Sequence, residues 1–371
     1  MVRSVLIVGG GIGGMGAALG LARAGKRVVL VDADPNWRVY GAGISVTGIS
    51  LRAFDALGIL DEVRERGFVG AGIRLRAVDG SVLMESPRPP NPTPIQSGGG
   101  IMRPVLHDIL SARVCASGID VRLGVKMEDW RDDGDGVDVS FSDGRTERFD
   151  LVVSAEGIFS DTRQRLFPGV AAPRFTGQGC WRIVAERPAH IDRTEMYMGG
   201  PVKLGLNPVS RTHMYLFVLE HVPDNPRYTA EEQLPHLSAL LAPFGGDIPA
   251  IRAALGPDSQ ANYRPLEWLL LPAPWYRGRV LLIGDAAHAT TPHMASGAGI
   301  AAEDGLVLAD VLERDGTVEE ALAEFMTRRF ERARLVVENS VRIGEIEMAG
   351  GEQGPASMML GETMQRLQEA F

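Results

Sequence analysis

The chain has 371 residues, of which 45% are hydrophobic and 23% are charged, a composition typical of a globular protein with two or three subdomains. Its net charge is −9, and it contains no concentrated basic run, which argues against a nucleic-acid partner. The two cysteines lie far apart without metal-ligand spacing, and no apolar run reaches the roughly 18 residues of a membrane-spanning helix. We therefore expect a cytoplasmic protein with no membrane anchor and no metal site.

The first predicted element is a buried parallel strand, SVLIVG, followed by GGGIGG and a helix that ends at Gly25. Gly9, Gly11 and Gly14 fit the pattern G-x-G-x-x-G, and a second predicted strand ends at Asp32. Between a strand and a helix this pattern indicates a dinucleotide site, because the glycines permit a tight turn and let a pyrophosphate approach the helix N-terminus. We expect Asp32 to accept hydrogen bonds from ribose hydroxyl groups. The motif alone does not distinguish FAD from NAD.

Two later segments carry further signals. Residues 149–167, FDLVVSAEGIFSDTRQRLF, combine a predicted strand with a polar turn. Residues 284–305, GDAAHATTPHMASGAGIAAEDG, pass through small side chains into a helix predicted to start near Gly299. Side chains this small leave the backbone bare just where the helix begins, so the segment is suited to close contact with a ligand.

With these three segments in order, the chain resembles the class A flavoprotein aromatic hydroxylases of the para-hydroxybenzoate hydroxylase type. The resemblance implies an α/β fold: a Rossmann-like FAD-binding domain, an interleaved substrate domain with a mixed or antiparallel β-sheet, and a C-terminal helical segment. The expected FAD-binding domain comprises residues 1–75, 98–173 and 267–330. The expected substrate domain comprises residues 76–97 and 174–266, and the C-terminal helices residues 331–371.

The resemblance also implies which residues bind FAD. Asp285 matches the aspartate that bonds the ribityl chain, and Arg103 matches an arginine that begins a helix near the flavin. The backbone beside the isoalloxazine ring is expected at Pro292 and the glycine-rich segment after it. The full expected set is Gly9, Gly11, Gly14, Asp32, Ser45, Arg103, Met127, Asp285, Pro292, Gly297 and Ala298.

The chain departs from the family pattern at two points. Glu156 stands where the family has aspartate, so the side chain is one methylene longer. Ala295 and Ser296 replace the usual glycine and glutamine after the proline, which removes a side-chain amide. The resulting segment PHMASGAG resembles the branch that hydroxylates pyridine-type rings, such as 6-hydroxynicotinate 3-monooxygenase.

The resemblance implies that NADH or NADPH reduces FAD, that O2 adds at flavin C4a, and that the hydroperoxide transfers one oxygen to an electron-rich aromatic or N-heteroaromatic ring. His293 follows Pro292 and is a candidate to take a proton from a ring hydroxyl, with packing at the flavin edge as an equal alternative. Tyr215 alternates with His213 and Phe217 on one strand face and is the second catalytic candidate, although core packing suits it better.

Other functions fit the same residues less well. They are a phenolic-acid hydroxylase, a monooxygenase that modifies natural products or antibiotics, a flavin-dependent dehydrogenase or reductase that never activates O2, and a nucleotide-binding regulator without activity. Oxygen uptake coupled to product formation separates the first two from the others. The sequence does not reveal the substrate, the reductant or the oligomeric state, for which a homodimer is one option.

Overall fold

The computed structural model describes residues 2–39, 41–70, 72–86, 98–170, 172–256, 259, 261–350 and 354–371. The strands are β1 Ser4–Val8, β2 Arg27–Asp32, β3 Gly43–Val46, β4 Phe68–Val69, β5 Ile73–Ala77, β6 Val82–Glu85, β7 Gly99–Met102, β8 Asp120–Leu123, β9 Met127–Asp132, β10 Val137–Phe141, β11 Thr146–Phe149, β12 Leu151–Ser154, β13 Arg174–Glu186, β14 Thr194–Met198, β15 Lys203–Pro208, β16 His213–His221, β17 Asn262–Trp268, β18 Tyr276–Arg277 and β19 Val280–Leu282. The helices are α1 Ile12–Arg23, α2 Gly48–Ala56, α3 Leu60–Arg66, α4 Arg103–Ala116, α5 Asp161–Leu166, α6 Ala230–Leu241, α7 Ile248–Ala253, α8 Asp285–His288, α9 Gly297–Glu313, α10 Val318–Met348 and α11 Gly354–Arg366, with a 3-10 turn at Pro292–Met294.

A six-stranded sheet in the order β18-β19-β12-β1-β2-β8 forms the nucleotide-binding unit. Strands β1, β2, β12 and β19 run parallel, and all their residues except those at the ends are buried, as their β-branched composition predicts. Helix α1 ends before Gly25, whose φ of +72° supplies the left-handed C-cap that the sequence predicts. Because parallel strands end at the same edge, the three motif segments that follow β1, β12 and β19 come together there.

A seven-stranded mixed sheet in the order β17-β13-β16-β15-β14-β5-β6 forms the second unit. All its neighbours are antiparallel except β14 and β5. Trp181 and Ile183 belong to a core cluster that includes residues of α6 and α7. Val184 and Tyr215 lie on the opposite face, where they pack against Ala42 of the nucleotide-binding unit. The substrate-type sheet therefore covers the nucleotide-binding unit with one face.

Two small sheets complete the α/β architecture that the sequence predicts: β3-β7-β4 and β11-β10-β9. The C-terminal helices are also confirmed, and α10 begins at a capping box in which Thr317 and Glu320 bond each other's backbone N–H groups. The domain boundaries remain predictions. None of the helices in the described ranges is long and apolar enough to cross a membrane.

Candidate active site

In the loop after β1, each glycine of the motif is needed for a different physical reason. Gly9 has a φ of +103°, and a Cβ atom there would lie 2.5 Å from the carbonyl oxygen of Ala155. A Cβ atom at Gly14 would meet the carbonyl oxygen of Gly9, so helix and strand pack closely only without a side chain. Gly11 has no atom within 4 Å of its Cβ position. Open space therefore lies against the α1 N-terminus, which no side chain caps, as a bound pyrophosphate requires.

Asp32 ends β2 beside this loop and fixes its shape. Its carboxylate accepts hydrogen bonds from the backbone N–H groups of Gly10 and Asp34, both at 2.8 Å. The indole of Trp37 donates to the carbonyl oxygen of Gly10 at 2.9 Å. Asp32 thus already holds the loop, and its remaining lone pairs are available to ribose hydroxyl groups.

The side chains of Arg103 and Asp285 lie close enough for their charges to interact, and the solvent-accessible region around them is here called the hollow. Both side chains are accessible to solvent. Nevertheless, burial lowers the pKa of Arg103, and the nearby Arg182 cation lowers it further. Burial raises the pKa of Asp285, although the positive charges of His288 and Arg103 oppose this shift. Arg103 therefore lies close enough to Asp285 and to Arg182 to interact with both charges, and water still reaches both Arg103 and Asp285. The Asp285 carboxylate accepts no hydrogen bond from the described residues, so it is free to bond a ligand.

A buried ionic cluster below this hollow positions Asp285. Asp304 of α9 accepts hydrogen bonds from the backbone N–H of Gly284 at 2.8 Å and contacts His288 Nε2 at 2.6 Å. Arg329 of α10 donates to Asp304 at 2.8 Å and to Glu303 at 2.9 Å, and all these side chains are almost fully buried. His288 is therefore structural. Asp304 and Arg329 stand in no local sequence motif that would have singled them out.

The middle segment supports the same edge. Ser160 caps α5 by accepting a hydrogen bond from the N–H of Arg163 at 3.0 Å. The carboxylate of Glu156 accepts hydrogen bonds from the hydroxyl groups of Ser154 and Ser160, both at 2.8 Å. Arg163 donates to the carbonyl oxygen of Ala286 at 3.2 Å. The longer Glu156 side chain thus organises the turn, and Arg163 ties that turn to α8.

The proline segment leads from the 3-10 turn into α9. Ala295 has a φ of +48°, a left-handed conformation that an L-residue adopts at a cost. Helix α9 begins at Gly297, two residues before the expected start near Gly299, because Ala295 already ends the preceding turn. The Ser296 hydroxyl donates to the Met294 carbonyl oxygen at 2.7 Å instead of capping α9. The α9 N-terminus is therefore uncapped at Gly297 and Ala298, which suits a developing negative charge.

His293 lies on the side of this segment that faces α10. Its Nδ1 atom is 2.9 Å from the Thr291 hydroxyl, and its Nε2 atom is 3.4 Å from a carboxylate oxygen of Glu347. Burial lowers the pKa of His293, although hydrogen bonding to Glu347 opposes this effect. The imidazole is therefore neutral at pH 7 and able to accept a proton.

Tyr215 and Ser45 join the two units by a hydrogen bond of 2.7 Å. Asn207 donates to the Ser45 hydroxyl at 2.9 Å and is itself held by Thr194 at 2.8 Å. Gly43 is required here, because a Cβ atom would collide with the Tyr215 ring. Tyr215 packs with Phe217 and thus has a core role in addition to its polar contact.

The remaining expected cofactor residue, Met127, starts β9 and packs against the large core of the nucleotide-binding unit. Met127 is distant in sequence from the polar groups of the hollow, and its strand belongs to the small sheet β11-β10-β9. Arg182, which the sequence analysis does not select, is half-buried beside Arg103 and has no ion pair among the described residues.

These features define a dinucleotide-binding α/β protein with a cleft between a Rossmann-like unit and a second sheet. The family model described as FAD binding domain matches residues 3–340. The 2-heptyl-3-hydroxy-4(1H)-quinolone synthase of Pseudomonas aeruginosa is 32% identical, over 98% of this chain and 94% of that protein. The 6-hydroxynicotinate 3-monooxygenase of Bordetella bronchiseptica is 28% identical, over 90% of this chain and 89% of that protein.

A crystal structure of a HpxO variant from Klebsiella pneumoniae complexed with FAD has a TM-score of 0.84 and 25% identity, covering 99% of this chain and 95% of that chain. The chain therefore belongs to the FAD-dependent monooxygenases of the class A flavin hydroxylase family. The resemblance inferred from the three sequence motifs is confirmed. FAD is the cofactor of this family, and the open space at Gly11 together with the hollow at Asp285 fits it.

Proposed function

We propose that the chain is a single-component monooxygenase that uses NADH or NADPH and O2 to hydroxylate an electron-rich aromatic or N-heteroaromatic small molecule. The observation that supports this most is the proximity of the solvent-accessible, oppositely charged Arg103 and Asp285, together with the uncapped α9 N-terminus. The named substrates and products of the two relatives are N-heteroaromatic compounds, which also supports the proposal. When bound, FAD would accept a hydride from the nicotinamide and activate O2.

The chain supplies binding, orientation and proton handling. The Gly11 backbone and the α1 N-terminus hold the pyrophosphate, and Asp285 bonds the ribityl chain. The α9 N-terminus stabilises negative charge on the ring system. The hydroxyl groups of Ser45 and Tyr215 hold the second sheet at a fixed distance from the cleft.

His293 is the candidate general base. It follows Pro292 directly, and its neutral imidazole can take the proton of a ring hydroxyl group, which makes the ring more electron-rich. Tyr215 is a second candidate, because its hydroxyl group lies at the face of the sheet that covers the cleft.

The test combines FAD reconstitution with oxygen-electrode and product measurements on the native protein and on His293→Ala. We expect the variant to keep FAD, to hydroxylate about 10²–10⁴-fold more slowly, and to release H2O2 instead of product. His213→Ala is the matched control, because His213 is an exposed histidine at the start of β16. Unchanged product yield in His293→Ala would assign His293 to packing.

The same experiment addresses the second candidate function. A reductase without oxygen transfer would consume NADH or NADPH and O2 but form only H2O2 with every aromatic compound tried. We further propose that the protein works in the cytoplasm as a homodimer. Its two cysteines, Cys115 and Cys180, are free thiols, which fits a reducing compartment.

A further inference from the structure

His107 of α4 is a buried polar side chain that the site described above leaves without a role. Only 9% of its surface is exposed. Neither ring nitrogen forms a hydrogen bond with any of the described residues, although an imidazole always carries at least one N–H donor. A buried donor without a partner is unfavourable, so this group is expected to find its acceptor outside the protein chain.

The imidazole of His107 lies beside the glycine loop that follows β1. Its ring packs edge-to-face against the indole of Trp37, with 5.4 Å between the ring centroids. The indole in turn donates a hydrogen bond to the Gly10 carbonyl oxygen at 2.9 Å. Trp37 has a φ of +47°, a left-handed conformation that a bulky residue adopts only where its contacts hold it. A single ring, fixed in position, therefore separates His107 from the loop that receives the pyrophosphate.

One face of α4 follows the expected path of FAD. Arg103 and His107 are four residues apart in this helix, so they lie one turn apart on the same face. Arg103 is close enough to Asp285 for their charges to interact. His107 is likewise close enough to Asp32. Asp32 is expected to bond the adenosine ribose and Asp285 the ribityl chain, so the pyrophosphate that joins them would pass along this face of α4.

Few ionisable groups surround His107. Burial lowers its pKa below the ordinary value, although the negative charges of Asp108 and Asp32 oppose this shift. Asp108 forms an ion pair with Arg66 of α3 at 3.3 Å, and Arg103 is the preceding ionisable side chain on this face of α4. Helix α1 packs against α4 and carries no ionisable side chain before its last residue, and β7 carries none. The imidazole is therefore neutral in the apoprotein at pH 7, and a pyrophosphate would be the strongest charge brought to it.

We propose that His107 binds FAD: its imidazole takes up one proton from solvent when the cofactor binds, and it then donates a hydrogen bond to the phosphate–ribose part of FAD. Negative charge on the pyrophosphate favours the charged imidazolium, so the pKa of His107 is higher in the complex than in the apoprotein. The gain in FAD affinity is complete below the apoprotein value, which lies under 6.5, and is lost as the pH rises through the value in the complex. The inference goes beyond the proposed function, because it concerns the cofactor and holds for any reaction that FAD performs here.

The first measurement counts the protons taken up with FAD. The apoprotein is titrated with FAD by isothermal titration calorimetry at pH 7 in phosphate and in Tris buffer, and the difference in observed heat gives the number of protons bound. We expect the native protein to take up as much as one proton more than His107→Gln, which keeps an N–H donor but cannot become charged. Other groups near the cofactor, such as Asp285, contribute equally to both proteins. His213→Gln is the matched control and should behave like the native protein, because His213 is an exposed histidine on β16.

The second measurement is the pH dependence of FAD affinity, determined by fluorescence titration of the apoproteins at pH 6 and pH 8. Relative to His107→Gln, the native protein should gain at least about threefold in affinity from pH 8 to pH 6, since each unit of pKa shift provides up to about tenfold. His107→Leu has neither donor nor charge and should bind FAD more weakly than both at either pH. Melting curves of the apoproteins establish that each variant is folded.

Absence of proton uptake by the native protein would overturn the inference without any variant. Equal proton uptake in the native protein and His107→Gln, or the same pH dependence of FAD affinity in both, would also overturn it. Unchanged FAD affinity in a folded His107→Leu protein would assign the imidazole to packing against Trp37. If His107→Leu does not fold, the comparison with His107→Gln decides alone.

Discussion

At the scale of single residues, Gly11 separates cofactor binding from folding. No atom lies within 4 Å of its Cβ position, and its backbone is extended, so a larger side chain meets no part of the protein. We predict that Gly11→Val loses FAD because the branched side chain occupies the pyrophosphate space, while the apoprotein keeps its Tm. Flavin absorbance after reconstitution and a melting curve measure the two effects.

Two neighbouring glycines provide the controls for this prediction. A Cβ atom at Gly13 would lie 3.5 Å from Ala301 Cβ, an ordinary contact, so Gly13→Ala should retain FAD. Gly14→Ala should instead lower the Tm, because its methyl group collides with the Gly9 carbonyl oxygen. A folded Gly11→Val protein with normal flavin content would contradict the assignment of the glycine loop.

We predict that Asp285 binds FAD and that its ionised carboxylate lowers the stability of the apoprotein. Its carboxylate has no hydrogen-bond partner among the described residues, so Asp285→Ala should leave the fold intact. A charge-assisted hydrogen bond to the ribityl chain contributes roughly 1.5–3 kcal/mol, which corresponds to about a tenfold or greater loss of FAD affinity in the variant. Fluorescence titration of the apoprotein with FAD measures this loss, and an unchanged Kd would remove Asp285 from the site.

The pH dependence of Asp285→Asn provides an independent measurement. Burial raises the pKa of Asp285, so the folded apoprotein holds this proton more tightly than the unfolded chain does. Ionisation therefore destabilises the fold once the pH exceeds the unfolded value of about 3.9. We expect Asp285→Asn apoprotein to melt at a higher temperature than the native apoprotein at pH 7, and the difference to shrink toward pH 4. A difference independent of pH would exclude this cause.

The residues that the sequence predicts share one property: each belongs to a local motif. The glycine loop, Asp285 and Pro292 stand in short patterns whose physical purpose can be read from their neighbours. Glu347 belongs to α10, and only the packing of that helix against the 3-10 turn brings it to His293. No spacing in the sequence encodes such a contact, so it becomes visible only in three dimensions.

At the scale of elements, α10 supports the site through Arg329. This guanidinium is completely buried and donates to Asp304 and Glu303, and Asp304 in turn holds the backbone that precedes Asp285. We predict that Arg329→Met destabilises the protein by about 3 kcal/mol, because the buried carboxylates of Asp304 and Glu303 would lose their shared guanidinium. His288 would remain beside Asp304, and Arg332 beside Glu303. Urea unfolding measures this effect, and FAD affinity should fall in parallel.

Arg334 on the same helix is the matched control for Arg329. Its ion pairs with Glu331 and Glu338 are solvent-exposed, and such pairs contribute about 0–1 kcal/mol. Arg334→Met should therefore change the free energy of unfolding by no more than that. Similar losses in both variants would mean that helix formation, and not the buried cluster, determines the effect.

Helices and strands were predictable where the side-chain pattern and the residues at both ends indicate the same element. The β1–α1–β2 unit follows from a β-branched run, a glycine loop and Gly25 at the helix end. The start of α9 was predicted two residues too late, because the left-handed conformation of Ala295 is not encoded by a glycine or asparagine at that position. The order of strands in the seven-stranded sheet depends on contacts between residues far apart in the chain. The sequence therefore predicted the type of sheet, mixed or antiparallel, but not which strands pair.

At the scale of the whole molecule, β6 is the feature that points to self-association. It forms one edge of the seven-stranded sheet, and no other described strand pairs with its outer side. Val82, Leu83 and Met84 are 52%, 60% and 50% exposed, so three consecutive apolar side chains face solvent on an edge strand. Such edges pair readily with a second chain, and proteins normally protect them.

We therefore predict that the native protein is a homodimer that associates through β6, and that Leu83→Lys shifts it toward the monomer. A lysine on each edge would place like charges together and leave them desolvated, which opposes pairing. Sedimentation velocity over a range of protein concentrations measures the equilibrium. Met358→Lys is the control, since Met358 is 63% exposed on α11, away from this edge. A native monomer, or dissociation by Met358→Lys instead of Leu83→Lys, would place the interface elsewhere or exclude it.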